Sequence, residues 1–341
     1  MKNVLLTTTA LVAFAGAAAA EVSFSGSAEV GYNDEYVDGA YASGDMTISM
    51  SQELNNGIVA TLSYGLTFDE DDQDGDDFPT ITLESAYGTL SAGDVEFAAV
   101  DHFSGVSGMD ADAAWENDGD PVFRLDTSFG GIDASVSAEH DDNDLEDGDE
   151  LDDVSFGASG TFGSVSFGLG YESFDWNGHE FMGINAGTSF SGVDVDVAYA
   201  SHSDDAGATT TDSIGVAVSA EVGGAVLSGY YASNDGNSTD QNYGVAADFN
   251  AGMANVGVWF DGGDQGEDFG IDVSAEAGEG VMVYAGYADV DNTMYLGATY
   301  DLGAGAEIGV SYASDDAGGA TEEIGPNDYY EGISLWASMS F

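Results

Sequence analysis

Every second residue of the segment 21–32, EVSFSGSAEVGY, is apolar or small: Val22, Phe24, Gly26, Ala28, Val30 and Tyr32. The residues between them, Ser23, Ser25, Ser27 and Glu29, are polar. A period of two puts these sets on opposite faces of an extended strand. The alternation returns around Met46–Met50, Ile58–Phe68, Ile132–Ala138, Val193–Tyr199, Ile214–Val222, Tyr243–Phe249 and Ile308–Tyr312. No helical period of 3.6 interrupts it after residue 20. The expected fold class is all-β.

The connections alternate in length. Nine are tight and hold glycine: Asn55-Asn56-Gly57, Tyr87-Gly88, Phe129-Gly130-Gly131, Phe162-Gly163-Ser164, Phe190-Ser191-Gly192, Val222-Gly223-Gly224, Asn250-Ala251-Gly252, 277–280 and 302–305. The others are mostly longer and acidic, among them DEDDQDGDD (69–77) and DDNDLEDGDELDD (141–153). Short turns at one end and long loops at the other describe an up-and-down antiparallel meander. Nine hairpins plus a strand at each terminus give about twenty segments, an even number. A ten-residue strand rises about 33 Å, which a tilt near 40° reduces to about 25 Å, the apolar height of a transmembrane barrel.

Residues 1–20 stand apart. Lys2, the apolar run around Val4–Phe14 and Ala18-Ala19-Ala20 read as a secretory signal peptide, with the barrel expected over 21–341. The run is too short to span a bilayer as a helix. Removing that leader would leave one base, Arg124, against 64 acids. Nucleic-acid binding is excluded, because nothing would neutralise phosphates. With no cysteine, stability must come from burial and hydrogen bonding. The aromatic content, 11%, argues against disorder.

Composition also decides which way the apolar face points. It is rich in Val, Ala, Gly, Tyr and Phe, whereas a sandwich core would hold large residues interlocking from two sheets. The polar face carries many carboxylates, among them Glu29, Asp45, Asp133, Asp196, Asp248, Asp272 and Glu307. Tyr87, Phe129, Phe162 and Phe190 each stand just before a tight turn, as an aromatic girdle at a membrane interface would. Together with the leader, this predicts an outer-membrane barrel with lipid outside and water inside.

Several stretches carry a family resemblance: EVSFSGSAEVGY at 21–32, YGTLSAGD at 87–94, DPVFRLDTSFGGIDASVSAEHDD at 120–142, TMYLGATYDLGAGAEIGVSYASDD at 293–316 and the terminal ISLWASMSF. The chain resembles the general diffusion porins of alphaproteobacteria, the Rhodobacter-type family. That resemblance implies a homotrimer in the outer membrane of a Gram-negative cell, passing small hydrophilic solutes passively. It implies sixteen strands, against about twenty by pattern. It implies Phe341 as an assembly signal, and a constriction loop after strand five, at 95–120, the longest connection in the chain. It also implies a basic wall opposite that loop, which this chain lacks.

The expected constriction residues are Glu96, Asp101, Asp110, Asp112, Glu116, Asp118, Arg124 and Asp126. Alternation with Phe123, Leu125 and Phe129 turns Arg124 into the lumen. There it either faces Asp110, Asp112, Glu116 and Asp118 as a remnant of a basic wall, or pins a loop through one carboxylate. The overall charge predicts preference for cations. Loop acids Asp71, Asp72, Asp74 and Asp76 could bind Ca²⁺ or Mg²⁺ loosely, although position twelve of a calcium loop beginning at Glu70 is Ile81 rather than Glu. No other cofactor is expected. The histidines, His102, His140, His179 and His202, read mostly as loop residues without metal-ligand spacing. Nothing marks an enzyme. The competing readings are a solute-specific outer-membrane channel and a secreted, calcium-folded surface protein or adhesin.

Overall fold

The computed structural model describes residues 21–36, 39–54, 56–69, 78–116, 121–139, 153–174, 178–204, 209–236, 239–264, 266–289, 292–316 and 329–341. The leader, the acids Asp71, Asp72, Asp74, Asp76 and Asp118, and His140 lie outside them.

Twenty strands follow in order. The first ten are β1 (Glu21–Asn33), β2 (Ala40–Glu53), β3 (Val59–Asp69), β4 (Thr80–Ser85), β5 (Gly88–Asp94), β6 (Pro121–Phe129), β7 (Ile132–Glu139), β8 (Asp153–Phe162), β9 (Val165–Phe174) and β10 (His179–Phe190). The rest are β11 (Val193–Asp204), β12 (Thr209–Val222), β13 (Ala225–Asp235), β14 (Thr239–Asn250), β15 (Ala254–Gly263), β16 (Gly266–Gly278), β17 (Val281–Ala288), β18 (Thr293–Gly303), β19 (Ala306–Ala313) and β20 (Gly332–Ser340). Each pairs antiparallel with its neighbours in sequence. β20 also pairs with β1, from Ser27 opposite Ser340 to Asn33 opposite Ser334. The sheet therefore closes and leaves no edge strand. The pattern count of twenty stands; the sixteen strands implied by the resemblance do not.

The nine tight turns lie at one end of the barrel. Tyr87, Phe129, Phe162 and Phe190 stand at that end on the four consecutive hairpins from β4–β5 to β10–β11 and are 91, 87, 86 and 78% exposed. Each strand also exposes at least one large apolar side chain along its outer face, such as Val30, Leu90, Ile184, Val245 and Leu335. A continuous apolar belt of this kind suits lipid. The buried apolar residues are instead inside, most of them where segment 95–116 folds back into the barrel, with a second cluster of Ala288, Tyr295 and Ala313 on β17–β19 together with Tyr329.

Candidate functional site

Segment 95–116 leaves β5 and lies against the inner wall. It contributes Phe97, Ala98, Ala99, Phe103, Val106, Met109, Ala111 and Ala114, all buried. It has no ladder partner, so its amide groups need acceptors from the wall. Ser137 and Ser155 accept from Ala98 and Ala99, each at 2.8 Å. Asn185 accepts from Ser104, Asn234 from Asp110 and Ser213 from Ala111. Gly108 offers its carbonyl to the side-chain amides of both Asn234 and Asn242, at 2.9 Å each. These anchors run along the wall from β7 to β14.

The wall makes room by being small. A Cβ on Gly183 would stand 2.5 Å from the Phe103 ring. One on Gly215 would stand 2.6 Å from Val106. Gly157 and Gly168 similarly clear the first turn of the loop around Ala98 and His102. Phe103 then meets Phe181 edge to face, with centroids 5.2 Å apart.

Arg124 holds the beginning of the loop. Its guanidinium forms ion pairs with Asp101 and, at 2.8 Å, with Asp126. It also donates to the Glu96 carbonyl at 3.2 Å. The side chain is 8% exposed, while Asp101 is 55% exposed. Ser135 gives its one hydroxyl proton to Asp126. His102 Nε2 must therefore donate to Ser135, at 2.7 Å, which leaves Nδ1 to accept from Ser159 at 2.8 Å. Burial, and secondly the Arg124 charge, push the His102 pKa below its ordinary value, in keeping with that neutral tautomer. Between this first turn and β4–β7 lies a polar recess of about 420 Å³ that includes Glu84, Asp101, His102, Arg124 and Asp133.

The far end is held differently. Asp110 accepts from Asn234 Nδ2 at 3.0 Å. Burial, then Asp240 and Asp112, raise the Asp110 pKa. Trp115 donates its amide to Glu172, which is fully buried on β9 and also accepts from Ser155. His179 lies 3.7 Å from Glu172, stacks on Phe174 and meets His202 with centroids 4.7 Å apart.

The expected constriction set thus divides. Arg124, Asp101, Asp126 and the backbone of Glu96 form one cluster. Asp110 and Asp112 belong to the other end of the loop, and Glu116 is exposed beyond Trp115. Of the two readings of Arg124, its contacts match the loop tether, with Asp101 and Asp126 as partners; Asp110 lies at β13, and the residue before Glu116, Trp115, is bonded at β9, so neither stands against Arg124. Another correction concerns His179 and His202, which lie on β10 and β11 rather than in loops. His102, Glu172 and the serines of β7 and β8 carried no sequence signal as a set, because the loop and three strands, β7 to β9, bring them together. Among the described residues, no group of three or more His, Asp or Glu is placed to hold a metal ion. Phe341 continues the closing seam, exchanging backbone hydrogen bonds of 3.0 Å with Gly26.

A porin structure refined at 1.8 Å resolution is 19% identical, covers 94% of this chain and all of its own, and has a TM-score of 0.47. A Rhodopseudomonas blastica porin triple mutant is 15% identical over the same shares, with a TM-score of 0.45. The barrel rests on its own closed pairing and not on this likeness. No curated protein matches. A family model described as Gram-negative porin matches residues 7–320, nearly the whole barrel with its inward loop, and the chain accordingly belongs to the Gram-negative porin family.

Proposed function

We propose that this outer-membrane porin is a passive diffusion channel that prefers cations, narrowed by segment 95–120. One observation carries the reading. The inner face holds carboxylates all round the wall, including Glu29, Asp45, Asp196, Asp248, Asp272 and Glu307, while Arg124 is consumed by Asp101 and Asp126. A water-filled passage lined in this way concentrates cations and repels anions. Solutes move down their gradients, and no chemistry or cofactor is required. Loose Ca²⁺ or Mg²⁺ on the acidic outer loops, including Asp71, Asp72, Asp74 and Asp76, would moderate their mutual repulsion. Residues 1–20 serve as a cleaved leader, Phe341 as an assembly signal, and the working form is a homotrimer in lipid.

The test is single-channel recording in a planar bilayer under a KCl gradient. The expected result is an ohmic conductance whose reversal potential lies near the K⁺ limit. A reversal potential near zero would overturn cation preference. Absence of conductance from folded oligomer would overturn the channel.

A further inference from the structure

The inner wall that the loop leaves uncovered runs from β15 through β20 to β2, and aromatic rings follow a rule there. Each inward ring has a glycine directly across the strand pair. Trp259 is opposite Gly270, Tyr284 opposite Gly297, and Tyr295 opposite Gly286. Trp336 has Gly309 on one side and Gly31 on the other. Gly31 in turn faces Tyr41. The rings of Trp259, Trp336 and Tyr41 lie over those glycines: a Cβ on Gly270, Gly309 or Gly31 would strike the respective ring. A ring laid against the sheet covers the bare backbone with one face, and Trp259 and Trp336 remain half-buried.

Carboxylates accompany these rings by the same register. Glu29 is two residues from Gly31, Glu307 two from Gly309, and Asp272 two from Gly270, each on the inward face. Two residues of strand separate them by about 7 Å. Tyr41 donates to Glu29 at 2.9 Å, which fixes one such pair. Tyr295 is covered by Tyr329, with centroids 4.7 Å apart, Trp259 and Tyr284 pack by one side against that pair, and Tyr36 meets Tyr41 edge-on, which leaves Trp336 as the ring with most freedom to receive a ligand.

We propose that this uncovered arc is a track for organic cations of the alkylammonium class. A weakly hydrated ammonium rests its methyl or methylene groups on a ring face, where the quadrupole attracts it, and its charge is held by the neighbouring carboxylate. Potassium keeps its water and gains little from the rings. A neutral solute of the same shape gains nothing from the charge. The inference rests on the reading of the inner face as a conducting lumen, and goes beyond general cation preference.

The test uses assembled oligomer in a planar bilayer at fixed KCl, with choline added and, separately, its neutral isostere 3,3-dimethyl-1-butanol. Choline is expected to reduce the K⁺ current saturably, and the isostere to leave it unchanged. Trp336→Leu and Trp259→Leu should each weaken choline block by about two- to fivefold. Trp336→Phe should keep part of it, and Glu307→Gln should weaken it without removing a ring. If a leucine variant does not assemble, the Phe and Gln variants decide. Equal block by the isostere or by maltose, or choline block unchanged in all variants, would overturn the track while K⁺ preference remained. Loss of K⁺ preference in the unaltered protein would instead overturn the cation-preference reading on which this inference rests.

Discussion

The covered and uncovered arcs of the barrel wall share one outer design and differ inside. From β6 to β14, the inward positions that meet the loop are mainly Gly, Ala, Ser and Asn. From β15 to β2 they include rings set over glycines, with carboxylates beside them. Glycine serves two purposes, and the covered arc shows both, since Gly244 on β14 admits the ring of Tyr230 from β13. Gly183 and Gly215 admit another segment of chain, whereas Gly270 and Gly309 admit a ring from the next strand. The lesson is that outer-face alternation fixes the barrel, while inner-face residue size decides what occupies the lumen.

Filling a glycine in each arc has the largest expected effect. Gly183→Leu should collide with Phe103 and unseat the loop, at an overpacking cost of about 1–3 kcal/mol. Single-channel conductance should rise. Gly309→Leu should push Trp336 off the wall and lower conductance. If both variants moved conductance in the same direction, the two arcs would not be the distinct surfaces described.

Arg124→Ala sharpens the account of the covered arc. It leaves Asp101 and Asp126 without their cation and frees the Glu96 carbonyl. Asp101 is largely solvated, so the expected loss is about 1–3 kcal/mol rather than that of a fully buried pair. The loop should become cleavable by protease at a lower temperature while the barrel stays intact. Reversal potential should move little, because this charge is already neutralised.

The smallest effect distinguishes the two ends of the loop by pH. The docked pKa of His102 lies below the ordinary value near 6.5, so its support for docking is full above that value and is lost as pH falls through the lowered one. The docked pKa of Asp110 lies above its ordinary 3.8, so its support is present at low pH and is lost as pH rises through the raised value. Acidification from neutrality should therefore loosen Ala98 and Ala99 while tightening Asp110 and Ala111. Amide hydrogen exchange at those four positions reads both ends. A common direction at the two ends would contradict the assignment.

Much of the fold follows from the chain alone. A period of two survives across EVSFSGSAEVGY and its counterparts because one side of each strand meets an apolar medium and the other meets water. Glycine at nine spacings marks the tight turns, since those positions require backbone that other residues rarely adopt. The family resemblance implied that 95–120 turns inward, with the length of that connection in support, and alternation with Phe123 and Leu125 placed Arg124 inside. What tertiary structure alone decided was partnership. Asp101 rather than Asp110 meets Arg124, His179 meets His202, and Trp336 lies over Gly309. Local periodicity records which face a residue occupies; it carries no information on its height along the next strand or on where a loop crosses the lumen. Those depend on closure of β1 against β20, a contact between the two ends of the barrel, and on the register that closure imposes all round the wall.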